Sequence, residues 1–135
     1  MLDPRLTLAY TATHYRLPTL NATVRIGKPE PPALRAWREQ HGHHRWAIFT
    51  AENPLSERSS TGFNRWAMQS LKRDLAAHKL PNIPTAHIDP SGRWPVERGV
   101  LAQTSSRLAV KLARRYRQHA IVVGRQGETA RLEVL

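Results

Sequence analysis

The chain has 135 residues, enough for one domain with its own core and short for two, so we expect residues 1–135 to form a single domain. Hydrophobic residues make up 40% of the chain, which excludes a disordered protein, and no apolar run approaches the roughly 20 residues that a membrane-spanning helix needs. The absence of cysteine excludes disulfides, thiolate catalysis and cysteine-ligated zinc. The first residues lack the features of a signal peptide, and we therefore expect a cytosolic protein with no membrane partner.

The chain is strongly basic, with 21 Lys and Arg residues against 10 Asp and Glu residues and a net charge of +11. The excess is uneven, because the segment from Arg93 to Arg125 contains eight basic residues and one acid, Glu97. Such a field attracts nucleic acid, phosphorylated metabolites or acidic protein surfaces. Alternatively, the arginine-rich composition reflects only genome composition and general solubility, with no anionic partner.

In the first half of the chain, two alternating patterns predict extended segments at Leu8–Leu17 and Ala22–Ile26. A helix should follow the prolines at 31 and 32 and stop near Gly42, with Leu34 and Trp37 on its buried side. The run from Trp46 to Thr50 is short and entirely apolar until its last residue, which predicts a buried central strand.

The second half predicts two further helices and a terminal hairpin. A long helix should begin at Thr61 or Gly62 and end near Lys79, with an apolar stripe at every fourth residue. Ser105 or Ser106 can cap the other helix. The stripe is Phe63, Ala67, Leu71 and Leu75, and the other predicted elements are strands Ile83–Ile88 and Gly99–Ala102, helix Arg107–Gln118, and hairpin strands Ala120–Val123 and Ala130–Leu135.

Because helices alternate with strands, these elements predict an α/β fold, with α+β as the other possibility. The expected architecture is a central mixed sheet of about five to six strands, packed by three helices and closed by the C-terminal β-hairpin.

The polar loop between the Trp46–Thr50 strand and the long helix is the most informative segment for function. Backbone N–H groups and the helix dipole converge at such a junction, which favours an anion or nucleotide site. Ordinary turn and capping chemistry explains the same composition. No Walker or dinucleotide-binding glycine motif is present, so we expect no cofactor of those classes. The candidate ligand-binding residues here are Thr50, Asn53, Ser56, Asn64 and Arg65.

Three residues farther along the chain complete the predicted site. Glu97 is the candidate catalytic residue, as a general base or as an acceptor for a ligand hydroxyl or amine; alternatively it pairs with Arg93 or Arg98 and stays ionised. Trp94 is the aromatic residue that we expect to stand in a cleft. Gln118 either binds a base edge or ligand amide, or satisfies carbonyls at the end of a helix.

The histidines at 41, 43 and 44 are close in sequence but lack the spacing of a zinc motif and an accompanying acid cluster. We interpret them as part of a solvated loop and predict no metal site. A serine hydrolase is not indicated either, because the chain has no GxSxG elbow.

Several short landmarks occur in an order that resembles the family called domain of unknown function 3293, which consists of small uncharacterised bacterial proteins. The resemblance extends from about residue 8 to residue 125 and implies a small α/β domain without implying an activity. Glu52 stands where the resemblance leads us to expect a neutral or aromatic residue. The landmarks are Tyr10, Thr13-His14-Tyr15, Thr50-Ala51-Glu52-Asn53-Pro54, Asn64-Arg65, Trp94-Pro95-Val96-Glu97 and Gln118-His119-Ala120-Ile121.

Three functions are compatible with this sequence. The first is binding of, or action on, a phosphorylated or nucleotide-like small molecule, in a pocket where the Thr50 loop, the Trp94–Glu97 segment and Gln118 meet. The second is a nucleic-acid-binding module, and the third is an accessory protein for an acidic partner; the oligomeric state stays open. The candidate nucleic-acid contacts are Arg107, Lys111, Arg114, Arg115 and Lys72.

Overall fold

A computed structural model describes residues 2–135 and shows one seven-stranded sheet with four helices. The strand order is β2-β1-β4-β5-β3-β6-β7, and the sheet curls into a half-barrel. The predicted α/β class is confirmed, with one strand and one helix more than expected. The elements are α1 Pro4–Ala12, β1 His14–Leu17, β2 Ala22–Val24, α2 Pro32–Gln40, β3 Arg45–Phe49, α3 Thr61–Ala77, β4 Asn82–Ile88, β5 Glu97–Gln103, α4 Ser106–Arg115, β6 Ala120–Arg125 and β7 Arg131–Val134.

The sheet is antiparallel in every described pair, so the prediction of a mixed sheet is wrong. Helix α3 connects β3 to β4, but β5 lies between those two strands. Helix α4 connects β5 to β6, and β3 lies between them. Each helical crossover thus joins strands that run in the same direction without being neighbours. Alternation of helices and strands predicts parallel neighbours only when no strand is inserted between them.

The additional helix is α1, which occupies residues that the sequence analysis assigned to an extended segment. Apolar residues occupy every second position from Leu6 to Ala12, which mimics a strand. The overlooked signal is a helix start: the Asp3 side chain accepts a hydrogen bond from the Arg5 N–H at 2.8 Å, and Pro4 occupies the first helical position. None of the side chains of α1 is fully buried.

Two cores cover the two faces of the sheet. Helices α3 and α4 pack on the face that carries Ala47, Phe49 and Ile121, whereas α2 packs on the opposite face, against Trp46 and Ile48. The period-2 alternation of the central strand β3 therefore distributes its side chains between both cores. This agrees with the predicted buried central strand.

Helix α3 departs from its predicted stripe at one position. Ala67, Leu71 and Leu75 are buried as expected, but Phe63 is 41% exposed and packs on Trp66. Phe63 lies in the first turn of α3, and the buried residues of this helix begin only at Ala67. Met68 is buried on this helix in addition to the predicted stripe.

No helix described in residues 2–135 combines the length and the hydropathy that are needed to cross a bilayer.

Candidate functional site

A cleft of about 490 Å³ opens on the α2-side face of the sheet, between α1 and the ends of β3, β5 and β6. Its floor contains a row of three residues in direct cross-strand register: Tyr15 on β1 pairs with His87 on β4, and His87 pairs with Glu97 on β5. The volume lies within the range of small-molecule sites. Residues that are up to 82 positions apart in the chain thus meet in one row because of the sheet register.

The Thr50 loop, the Trp94–Glu97 segment and Gln118 all line this cleft. Asn53 connects the loop to the floor, because its amide Nδ2 donates a hydrogen bond of 2.6 Å to Glu97 Oε2. Its Oδ1 accepts from Ser59 N at 2.9 Å and from Asn64 Nδ2 at 3.1 Å. In return, Asn64 Oδ1 accepts from Asn53 N at 2.9 Å. The two asparagines therefore fix the loop onto the first turn of α3 and hold the carboxylate in place.

The loop backbone is strained. Asn53, Leu55 and Ser56 all have left-handed conformations, with φ angles of 48°, 56° and 58°. Asparagine tolerates this region, but a leucine and a serine rarely adopt it. The Leu55 N–H is held by a 2.8 Å hydrogen bond to the carbonyl of Arg117, beyond the end of α4. Strain of this kind is concentrated at functional sites, where the surrounding structure imposes it.

The Glu97 carboxylate has no cationic partner among residues 2–135. Burial raises its pKa above the ordinary value; hydrogen bonds from Asn53 and Trp94 counteract this shift only in part, and the nearby charge of Glu52 adds to it. The expectation that Glu97 pairs with Arg93 or Arg98 and is kept ionised by them is therefore wrong. The Arg98 backbone N–H donates instead to Glu52 Oε1 at 2.9 Å. A carboxyl group with a raised pKa can exchange protons closer to neutral pH than an exposed one.

His87 is the principal site residue that sequence reasoning missed. It is buried, and burial lowers its pKa to about 4, so the imidazole is neutral at pH 7. Thr85 Oγ1 lies 2.7 Å from His87 Nε2, and the Tyr15 ring meets the imidazole edge-on at 4.9 Å between centroids. A Cβ atom at Gly99 would lie 2.5 Å from His87 Nε2, so the absence of a side chain at residue 99 makes room for the ring.

The Thr50 hydroxyl and the Gln118 amide nitrogen form hydrogen bonds within the protein itself. Thr50 Oγ1 donates to the Arg98 carbonyl and accepts from the Glu52 N–H at 3.0 Å. Gln118 Nε2 donates to the carbonyls of Glu52 at 3.2 Å and Tyr116 at 3.1 Å. Both side chains thereby tie the Thr50 loop to β5 and to the end of α4.

The other predicted ligand contacts separate into two groups. Trp94 and Ser56 line the cleft, and the Trp94 backbone N–H is anchored to Asp89 Oδ2 at 3.0 Å. Arg65 is exposed on α3 and does not line the cleft. Tyr10 and Tyr15, which were not among the predicted ligand contacts, do line it, and burial raises the pKa of both phenols.

The predicted nucleic-acid contacts are exposed on α3 and α4, away from the cleft. Arg115 forms an ion pair of 3.4 Å with Asp74, whereas Arg107, Lys111, Arg114 and Lys72 form none with a described residue.

The histidines of the α2–β3 loop make separate contacts. His41 Nδ1 lies 2.9 Å from the Trp37 carbonyl, and His44 Nδ1 lies 2.9 Å from Gln126 Oε1. Between residues 2 and 135, no three His, Asp or Glu side chains form a group that could hold a metal ion.

Comparison with known proteins places this site within a recognised family. The family model described as "Protein of unknown function (DUF3293)" matches residues 49–121, more than half of the chain. The matched segment contains the strained loop, Glu97 and Gln118, but not α1. No curated protein and no solved structure matches the chain. The chain belongs to the DUF3293 family.

Proposed function

We propose that the protein binds a nucleotide-like small molecule in the cleft, with Glu97 accepting hydrogen bonds from the ligand. The observation that carries this proposal is a half-buried carboxylate that faces a cleft, has a pKa raised by burial and forms no ion pair with any described residue. Buried ionisable groups are normally paired or fully hydrogen-bonded, because an unpaired charge in an apolar environment is costly. A ligand with N–H donors supplies the missing partners.

The surroundings of Glu97 favour a planar, aromatic ligand. Trp94, Tyr10 and Tyr15 line the same cleft, and aromatic side chains stack on purine or pyrimidine rings. The amino and imino groups of such a base can donate to a carboxylate. Arg5 and Arg93 also line the cleft, so cationic groups are available for a phosphate.

This proposal changes the roles that the sequence suggested for the Thr50 loop. The amides of Asn53 and Asn64 bond to each other and to Glu97, so we assign them a positioning role. Under this proposal the anionic part of the ligand meets Arg5 and Arg93, while Thr50 and Gln118 support the loop. A proton transfer between Glu97 and the ligand is compatible with the raised pKa of Glu97, but binding alone accounts for the geometry.

Calorimetric titration with a panel of nucleosides, nucleotides and sugar phosphates tests the proposal, at 50 and 200 mM salt. We expect at least one nucleoside or nucleotide to bind at both salt concentrations. Glu97→Gln should weaken it by about 10- to 100-fold, because hydrogen bonds to a charged group contribute about 1.5–3 kcal/mol. Glu57→Gln, an exposed change in the same loop with the same loss of charge, should leave affinity unchanged.

Two results would contradict the proposal. One is equal affinity in Glu97→Gln and wild type. The other is binding of sugar phosphates as tightly as nucleotides, since a site that selects only the phosphate would not need the aromatic cleft.

A further inference from the structure

A second concave surface lies at the opposite end of β3 and β6 from the cleft. Two adjoining depressions, of about 260 Å³ and 850 Å³, share Arg45 and Ser106 and run between α4 and the β6–β7 hairpin. We call this surface the basic groove. Its basic residues, all exposed, are Arg45, Arg107, Lys111, Arg114, Arg125 and Arg131.

The positive charge of the basic groove is mostly uncompensated. Arg125 has an ion pair of 3.6 Å with Glu128, and the other five basic residues form none with any residue in the described part of the chain. Glu133 is the other acidic residue that lines it. A surface with this charge concentrates anions, and the low-dielectric walls of a groove focus its field.

Two features of the fold bring like charges together in the groove. Arg45 and Arg125 are directly opposite each other on neighbouring strands, a placement that is unfavourable for like charges. On α4, Arg107, Lys111 and Arg114 follow at intervals of four and three residues, so they share one face over about 10 Å of helix. A bound polyanion would relieve the repulsion on both walls.

We propose that the basic groove binds the phosphate backbone of double-stranded nucleic acid. Proteins that bind single strands combine positive charge with aromatic side chains on which bases stack. No Phe, Tyr or Trp lines the basic groove, so its chemistry is suited to phosphates rather than to exposed bases. Binding of this kind is independent of sequence and depends strongly on salt.

Fluorescence anisotropy with a labelled 20-base-pair duplex of arbitrary sequence tests this inference. With five phosphate contacts, affinity should fall about 500-fold between 50 and 200 mM salt, by the counterion-release rule. The triple variant Arg107→Gln/Lys111→Gln/Arg114→Gln should bind at least about 10-fold more weakly and show a salt slope that is shallower by about three.

The matched control is Arg58→Gln/Arg65→Gln/Arg73→Gln, which removes the same charge from exposed positions outside the groove. It should retain most of the affinity. An equal loss in both triple variants would overturn the proposal, because binding would then follow net charge rather than the groove.

Competition separates this partner from the alternatives. A single strand of the same length that binds more tightly than the duplex would overturn the proposal. Displacement of the duplex by polyglutamate at equal charge concentration would do so as well, because the groove would then be suited to an acidic protein. The Glu97→Gln variant should bind the duplex normally, so failure of this proposal is distinguishable from failure of the cleft proposal.

Discussion

Two half-buried glutamates show how the same side chain serves the fold in one region and a candidate site in another. Glu30, just before α2, is surrounded by donors: Arg38 contacts both of its oxygens, at 2.9 and 3.1 Å, and Trp46 Nε1 donates at 2.9 Å. Glu97, at the start of β5, has the Asn53 amide at 2.6 Å and no cation among the described residues.

The difference lies in what the protein itself provides. Around Glu30 the fold supplies a bidentate arginine, with its side chain only 2% exposed, and a hydrogen bond from the Trp46 indole. Around Glu97 it supplies burial, the Asn53 amide and a hydrogen bond from Trp94, and it leaves a cleft. A partly desolvated carboxylate whose partners are complete stabilises the fold, whereas one with incomplete partners next to a cleft is a candidate for binding or proton transfer.

The largest expected effect is a loss of stability on breaking the cluster of Glu30, Arg38 and Trp46. Arg38→Ala leaves Glu30 buried without its cation and should lower the free energy of unfolding by about 3–5 kcal/mol, measured by urea denaturation. Arg35→Ala, which breaks the exposed ion pair with Glu39, should cost less than about 1 kcal/mol. If the two variants lose similar stability, the ion pair between Arg38 and Glu30 does not stabilise the fold more than an exposed pair does. The double variant Glu30→Gln/Arg38→Met should recover much of the loss, since it leaves no unpaired charge.

The second effect is the dependence of protein stability on pH that results from burying His87 in the floor of the cleft. Its pKa is about 4 in the folded protein and near 6.5 in the unfolded chain, so the stability that it contributes is complete above pH 6.5 and is lost as pH falls. The loss should reach about 3 kcal/mol by pH 4. His87→Gln should remove this component, which is measured as the difference between variant and wild-type unfolding free energies from pH 7 to pH 4. A constant difference across that range would show that His87 titrates normally.

The third effect tests how closely Gly99 and His87 are packed in the floor of the cleft. Gly99→Ala places a Cβ atom 2.5 Å from His87 Nε2 and 2.6 Å from the Phe49 carbonyl, so we expect a loss of about 1–3 kcal/mol. Gly62→Ala on α3 meets no atom within 4 Å and should stabilise the protein by less than about 1 kcal/mol. Both values come from thermal or chemical denaturation. A neutral Gly99→Ala would mean that His87 can move away without cost.

The smallest expected effect is a slight gain in stability, rather than a loss, when Glu97 itself is replaced. Its raised pKa means that the folded protein holds this proton at higher pH than the unfolded chain does, so its contribution to stability decreases as pH rises above the ordinary carboxyl range. Glu97→Gln should therefore make the protein slightly more stable at pH 7, with Glu57→Gln as the control. A site that binds a ligand at the expense of stability is expected to behave in this way. Destabilisation by Glu97→Gln at pH 7 would place Glu97 with Glu30, as a structural carboxylate.

The sequence by itself determined the local elements and the segments that carry the site. Strand β3 was predicted from its apolar run, and helix α4 was predicted from the capping serine at its start. Both patterns lie within a few consecutive residues. The polar loop was identified from residue types that favour turns. Glu97 was identified because it is the lone acid in a basic segment, and neither observation requires knowledge of the fold. Helix α1 was missed because the apolar residues at every second position from Leu6 to Ala12 outweighed the capping signal of Asp3 and Pro4.

Only the tertiary structure decided which residues share a surface and what charge state they favour. Tyr15, His87 and Glu97 are adjacent because of strand register, and register depends on pairing between segments far apart in the chain. The raised pKa of Glu97 likewise results from burial by several segments and from the nearby charge of Glu52, which no local pattern encodes. Local periodicity specifies helices and strands, while the environment of a buried charge depends on the packing of the whole sheet.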